Sequence, residues 1–377
     1  MQNNYFDIII YMKKSSFSNE THLILSWLRT PIDTSAQLIN QKLLAGHFNW
    51  NLIIEQSLHH GVLPLLYHKT AKLRQSNFPK NILSILKISY EATLKRNTIF
   101  WKEFCRLHNL LNKIGIRIIP LKGIVLAKTL YPDIGIRPMA DIDVLVQKKD
   151  LPFVEKQILQ LGYRKQLKRL SEDYWKKYQC HFVFYNPDKE IILELHWTFA
   201  PPRPNALNIT DIWKRSKNQL VGQLEILTLT FEDTLLSICL DLGKNISKLQ
   251  CLRLRNLYDI HELVIKHGHN LDWDYIIKKI DSWKVKGLFF YLNYLTKKYL
   301  TTPWPDEKTR EFTFNSRKRK LLILSSPKLK KISRLRAILL IALMLDSFKD
   351  RAALILKGIS ILCEKFFYPP RKNTVGQ

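Results

Sequence analysis

Acidic side chains are scarce: 32 Asp and Glu face 60 Lys and Arg, which leaves a formal net charge of +28. That imbalance sets up a positive field that draws phosphate-rich partners, and it says nothing about fold. Cysteine is sparse as well. The five, at positions 105, 180, 239, 251 and 363, form no CxxC pair and no Cys/His spacing of a zinc module or a disulfide framework, so free thiols in a reducing cytoplasm are expected. Long apolar runs are missing. The most apolar window, residues 337–345, is about half the ~20 residues that a bilayer span needs, which excludes it as a transmembrane segment. Near the start, the apolar run at residues 8–10 has no preceding basic segment and is too short for a signal-peptide core, so a cytoplasmic location is expected. No repeat of fixed period is visible.

What remains is an ordinary globular composition, 46% hydrophobic and 24% charged over 377 residues, long enough for roughly two to three domains. Residues 1–114 show helical spacing of apolar positions, with helix breakers between them; one helix should end at Gly61 and the next begin near Pro64. From residue 115 the pattern changes. GIRIIPLKG reads as a strand, a helix from Ile124 to Tyr131 follows, and DIDVLVQ reads as a second strand. Asp150 is a candidate N-cap for a helix reaching Gly162, and strands around residues 180–186 and 190–197 flank the turn-forming NPDK as a hairpin. Residues 115–200 therefore form an αβ core with a small sheet. Residues 201–305 read as helical, with Thr230 or Asp233 and Asp272 or Asp274 as caps and Gly243, Gly268 and Gly287 as breaks. Residues 306–377 read as a basic and amphipathic helical tail. The fold class is α+β: a small mixed-sheet core flanked by helical regions.

Chemistry concentrates in the core. Side chains alternate along a strand, so Asp141 and Asp143 in DIDVLV should project from one face with Cα atoms roughly 6 to 7 Å apart, a spacing that admits a divalent cation. Alternation in IILELHWTF places Glu194 on one face with Ile192 and His196, offering a third carboxylate from another strand. Three convergent acids repel one another unless a cation neutralises them, and hard oxygen donors suit Mg²⁺, which takes its remaining ligands from water and substrate phosphates. Lys122 and Gly123 stand at a strand-to-helix junction, where backbone N–H groups and the helix end favour an anion such as a triphosphate. Arg137, fixed by Pro138, is placed to neutralise phosphate or hold a carboxylate. His196 reads first as a structural histidine and second as a residue that orients Glu194. The string HELVIKHGH fails the HExxH zinc spacing, since Ile265 stands where the second His belongs. Asp259 reads as a packing residue or a partner for Arg253 or Arg255.

The run LKGIVLAKTLYPDIGIRPMADIDVLV, followed by ELHW, resembles the uncharacterised nucleotidyltransferase family of the DNA polymerase beta-like superfamily, with similarity over about residues 50–305. The resemblance implies Asp141 and Asp143 as metal ligands, Glu194 as the third carboxylate, and Lys122 with Gly123 at the nucleotide. In the wider superfamily a small Gly or Ser follows the glycine turn, whereas here Ile124 follows Gly123.

The expected activity is Mg²⁺-dependent transfer of a nucleoside monophosphate from an NTP to an acceptor that composition cannot choose: RNA, a polypeptide or a small molecule. The alternative is a non-catalytic basic binding protein that keeps the scaffold. Residues 308–336 hold 11 Lys or Arg against the single acid Glu311. RNA contact and a passive solvated face both stand ahead of an anionic membrane surface as readings of that run.

Overall fold

The computed structural model describes residues 18–29, 47–70, 78–166, 172–201, 207–247, 252–309 and 344–352. Four helices come first among them: α1 (Asn19–Arg29), α2 (Trp50–His60), α3 (Leu63–Thr70) and α4 (Lys80–Lys113). The break between α2 and α3 falls where the sequence places it. The Asn49 side chain caps α2 by accepting from the backbone N–H of Leu52, and Gly61 ends it at φ 68°, a left-handed conformation that glycine adopts without a Cβ clash.

The sheet follows in the order β1 (Ile119–Leu121), α5 (Gly123–Thr129), β2 (Ile142–Leu145), α6 (Leu151–Gln160), β3 (Arg164–Lys165), α7 (Glu172–Tyr178), β4 (His181–Asn186) and β5 (Ile191–His196). The strands lie in the spatial order β1-β2-β5-β4-β3, and the sheet is mixed. β2 and β5 run parallel; the other neighbours run antiparallel. Asp150 does not cap α6 with its side chain, because a 3₁₀ turn over Lys148–Asp150 already holds it in helical geometry.

After the sheet come α8 (Thr210–Arg215), β6 (Lys217–Val221), β7 (Leu224–Thr228), α9 (Phe231–Ser247), α10 (Leu254–His267), α11 (Trp273–Ser282), α12 (Lys286–Leu300) and α13 (Asp306–Thr309). The antiparallel hairpin β6–β7 corrects the all-helical reading of residues 201–305. Its turn is built on Gly222 at φ 66°, and runs of four or five apolar and polar residues do not separate strand from helix by period alone. Gly243 also departs from expectation. It lies within α9, where an added Cβ would come within 2.9 Å of Leu288 Cδ2, so it permits close helix packing and breaks nothing. The caps at Thr230 and Asp272 form as expected, accepting from the backbone N–H groups of Asp233 and Tyr275.

Alternation gives the sheet two unlike faces. Ile142 and Val144 of β2, Phe182 and Phe184 of β4, and Leu193 and Leu195 of β5 are buried against Phe104, Leu107 and Leu111 of α4 and Val154 and Ile158 of α6. Burial of such side chains contributes about 1.5 to 3 kcal/mol each. The opposite face carries Asp143, Glu194, His181 and His196 and meets α9. A second core joins α1, α2, α3 and α9 to α12. At 34 residues α4 is roughly 50 Å long. Ile82 and Leu86 enter the helical core, while Phe100 and Phe104 enter the sheet core. No described helix is long and apolar enough to cross a membrane. The basic stretch from residue 310 to 336 lies outside the described residues.

Candidate functional site

The parallel pairing of β2 with β5 sets Asp143 opposite Glu194 in register. The two carboxylates come from strands about 50 residues apart in sequence, and the sheet alone brings them together. His196, two residues beyond Glu194 and on the same face, joins them: its Nε2–H donates to Asp143 Oδ1 at 2.8 Å and to Glu194 Oε2 at 3.1 Å. Ligand atoms of Asp143, Glu194 and His196 all lie within 4.8 Å of one another, close enough to hold a metal ion. Asp143 and His196 are buried, at 5% and 1% exposure, whereas Glu194 keeps partial access.

Asp141 stands just ahead of β2 rather than within it. It does not fall within that 4.8 Å grouping, and no hydrogen bond holds its carboxylate among the described residues. Burial, then the neighbouring Asp143 and Glu194 charges, push its pKa up to about 7.

Lys122 reaches the carboxylates from the other side. It ends β1 and opens α5 at φ 45°, an uncommon conformation for a residue with a side chain. Its Nζ lies 2.8 Å from Asp241 Oδ1 and 3.5 Å from Asp143 Oδ1. Gly123, next along, leaves little room for a side chain: an added Cβ would stand 3.2 Å from Met139 Cβ and 3.4 Å from the Arg137 guanidinium.

Asp241 and Lys244, one turn apart on α9 and paired at 3.0 Å, complete the charged layer, and neither emerged from the sequence. A helix that packs across the sheet from about 100 residues away offers no local signal. The acids are therefore not left to a metal alone, as three convergent carboxylates suggested: Lys122, Lys244 and His196 supply internal positive charge. Burial opposes ionisation of Asp143, but Lys122 and His196 outweigh it and hold that carboxyl well below its usual range. Asp241 is held low in the same way by Lys122 and Lys244. His196 answers in kind. Burial pulls its imidazole down, yet Asp143, Cys180 and Glu194 together hold it up at about 10.

Arg137 packs against Gly123 and is held from α10. Its guanidinium forks onto Asp259 of α10, Nε to Oδ1 at 2.8 Å and an Nη to Oδ2 at 2.7 Å, and Tyr131 donates to the same carboxylate at 2.7 Å. Asp259 thus pairs with Arg137 rather than Arg253 or Arg255. Asn97 of α4 donates to the backbone carbonyls of Ile134 and Arg137, which clamps the loop leading into Asp141 and β2.

A divalent cation fits this donor set. Two in-register carboxylates supply hard oxygen ligands, and Asp141 is a third to which no group among the described residues donates a hydrogen bond. A family model described as an uncharacterised nucleotidyltransferase matches residues 46–301, well over half of the chain. No curated protein matches it.

Proposed function

The chain belongs to the uncharacterised nucleotidyltransferase family, and from that premise we propose that it transfers a nucleoside monophosphate from an NTP to an acceptor with release of pyrophosphate, using Mg²⁺. The observation that carries this reading is the in-register pair Asp143 and Glu194, with Asp141 in their field and without a hydrogen-bond partner among the described residues. When bound, the cation would supply Lewis-acid stabilisation of the negative charge that builds on the substrate phosphates in the transition state.

The chain's own residues account for the remaining requirements. Asp143 and Glu194, with Asp141, would hold the ion. His196 donates to both inner carboxylates and so fixes how their outer oxygens point. Lys122, steadied by Asp241, places a positive charge beside Asp143 where an anionic triphosphate must approach. In the reaction an acceptor oxygen forms a bond to the α-phosphorus, the bond from that phosphorus to the bridging oxygen breaks, and pyrophosphate leaves. The acceptor's proton passes to Glu194, the carboxylate of the pair that keeps solvent access. Positioning and electrostatics carry the rate.

The acceptor is an RNA, a polypeptide or a small molecule. The excess of 60 basic over 32 acidic residues supports the first. Incubating the protein with each NTP labelled at the α-phosphate, Mg²⁺ and a cell extract, then separating RNA, protein and small molecules, tests donor and acceptor together. Label should enter one fraction from one preferred NTP. A γ-label should leave as pyrophosphate and be found in no acceptor product.

A further inference from the structure

One group of buried side chains is left over from nucleotidyl transfer. Cys180 and His181 lie at the start of β4, and His181 pairs across the ladder with His196 of β5. Their rings face each other with centroids 4.7 Å apart. Cys180 precedes the strand in a bend, which frees its thiol from strict alternation and lets Sγ come within 3.3 Å of His181 Nδ1. Donor atoms of Cys180, His181 and His196 all lie within 4.8 Å of one another, and all three residues are buried.

The two nitrogens of His196 are used unequally. Nε2 is committed to Asp143 and Glu194, whereas Nδ1, buried near the Cys180 thiol, makes no hydrogen bond of good geometry among the described residues. A ring nitrogen buried beside a thiol and a second imidazole without a hydrogen bond is costly unless something binds it, and a bound metal ion would displace the proton that the ring otherwise carries. We propose that Cys180, His181 and His196 bind a thiophilic divalent metal ion of the zinc class through one thiolate sulfur and two imidazole nitrogens, behind the carboxylates of the nucleotidyl-transfer site.

The geometry suits such an ion. Bonds of about 2.0 to 2.3 Å to nitrogen and sulfur place ligand atoms roughly 3.5 Å apart along a tetrahedral edge, close to the 3.3 Å between Cys180 Sγ and His181 Nδ1. Soft sulfur and imidazole donors select zinc-like ions over Mg²⁺. Metal-bound histidines commonly give their other N–H to a carboxylate, and His196 does so with Asp143 and Glu194. His181 Nε2 stands 3.6 Å from Glu194 Oε2, within ion-pair distance but beyond a hydrogen bond. The backbone is held as well, since Trp197 N–H donates to the Cys180 carbonyl at 3.0 Å. Lys244, the cation nearest in effect to Cys180, opposes a further positive charge, but it is paired with Asp241. The ion would staple β4 to β5 and lock the imidazoles that orient the catalytic carboxylates.

Titration of the metal-stripped full-length protein with Co²⁺ tests this, because a thiolate ligand gives a charge-transfer band in the near ultraviolet that carboxylates and imidazoles do not. We expect the band to saturate at about one Co²⁺ per chain, to bleach with Zn²⁺, and to persist in saturating Mg²⁺. Cys180→Ser should abolish it and weaken Zn²⁺ binding at least 10-fold, since a ligand should matter more than the ~10 to 100-fold of groups outside the coordination sphere. Asp143→Asn, which removes nucleotidyl transfer, should retain the band, so failure of one reading is separable from failure of the other. Absence of the band in excess Co²⁺, or an unchanged band in Cys180→Ser, overturns the proposal. If Cys180→Ser does not fold, X-ray absorption of the Co²⁺-loaded wild type decides: a sulfur shell supports the site, and oxygen and nitrogen alone refute it.

Discussion

Asp141 and Asp143 differ by two positions and by their surroundings. Asp143 has His196 and Lys122 to accept from and pair with, so its folded pKa is depressed. Asp141 has burial and like charges, and its pKa is raised from 3.8 to about 7. The linkage for Asp141 has a definite sign. A raised pKa means that the proton stabilises the fold: this contribution is complete below about pH 4 and is lost as pH rises through about 7. Asp141→Asn should therefore stabilise the metal-free protein at pH 8 by about 2 to 4 kcal/mol, read as a higher melting temperature, and make no difference at pH 4. Thermal melts at the two pH values check it; a variant less stable than wild type at pH 8 refutes the repulsion. For the same reason Mg²⁺ with NTP should raise the melting temperature more at pH 8 than at pH 6, because a proton on Asp141 competes with the ion. Strand alternation made Asp143, Glu194 and His196 legible in the sequence, since a two-residue period fixes the face. It could not show that Asp141 lies outside the strand, nor that Asp241 and Lys244 arrive from α9, whose packing rotation no local pattern states.

Among the elements, the loop between α5 and β2 does most to place the site, and it is tied at Ile134 and Arg137. Asn97 of α4 holds its carbonyls and Asp259 of α10 holds Arg137. A lysine in place of Arg137 cannot reproduce the two parallel bonds. Arg137→Lys and Asp259→Asn should each destabilise the fold by about 3 to 5 kcal/mol, the usual cost of breaking a buried pair, while the remaining folded enzyme keeps its KM for NTP. Denaturant unfolding alongside steady-state kinetics separates the outcomes; a raised KM with normal stability would return Arg137 to the nucleotide. The sequence placed Arg137 close to the site, but the identity of its partner depends on α10 docking beside the sheet, 122 residues away along the chain. The hairpin β6–β7 escaped for a different reason. VGQL carries a turn glycine, yet the flanking runs are too short to choose between periods. Helix boundaries with a local chemical cause, such as Gly61, Thr230 and Asp272, were readable.

For the whole molecule, the net charge of +28 is the property that composition states outright, and residues 308–336 carry much of it. If RNA is the acceptor, affinity should fall steeply with salt as phosphate counterions are released. Replacing Arg317, Lys318, Arg319 and Lys320 by Glu should weaken binding to all sequences alike and flatten the salt slope, as read by filter binding over a salt series. Unchanged affinity and slope would make the run a solvated face and turn the search toward a polypeptide or small molecule. The α+β architecture was legible because the change from helical to strand period near residue 115 is sharp; the joining of sheet and helical cores by α4 was not, since its apolar positions look alike at both ends. The central claim is nucleotidyl transfer at Asp143 and Glu194, and its most direct test compares wild type with Asp143→Asn for transfer of α-labelled NTP into the extract's acceptor at saturating Mg²⁺. Wild type should transfer label, and Asp143→Asn, still folded by circular dichroism, should lose more than about 100-fold, equivalent to about 2.7 kcal/mol of transition-state stabilisation. Equal transfer by the two proteins would contradict the claim.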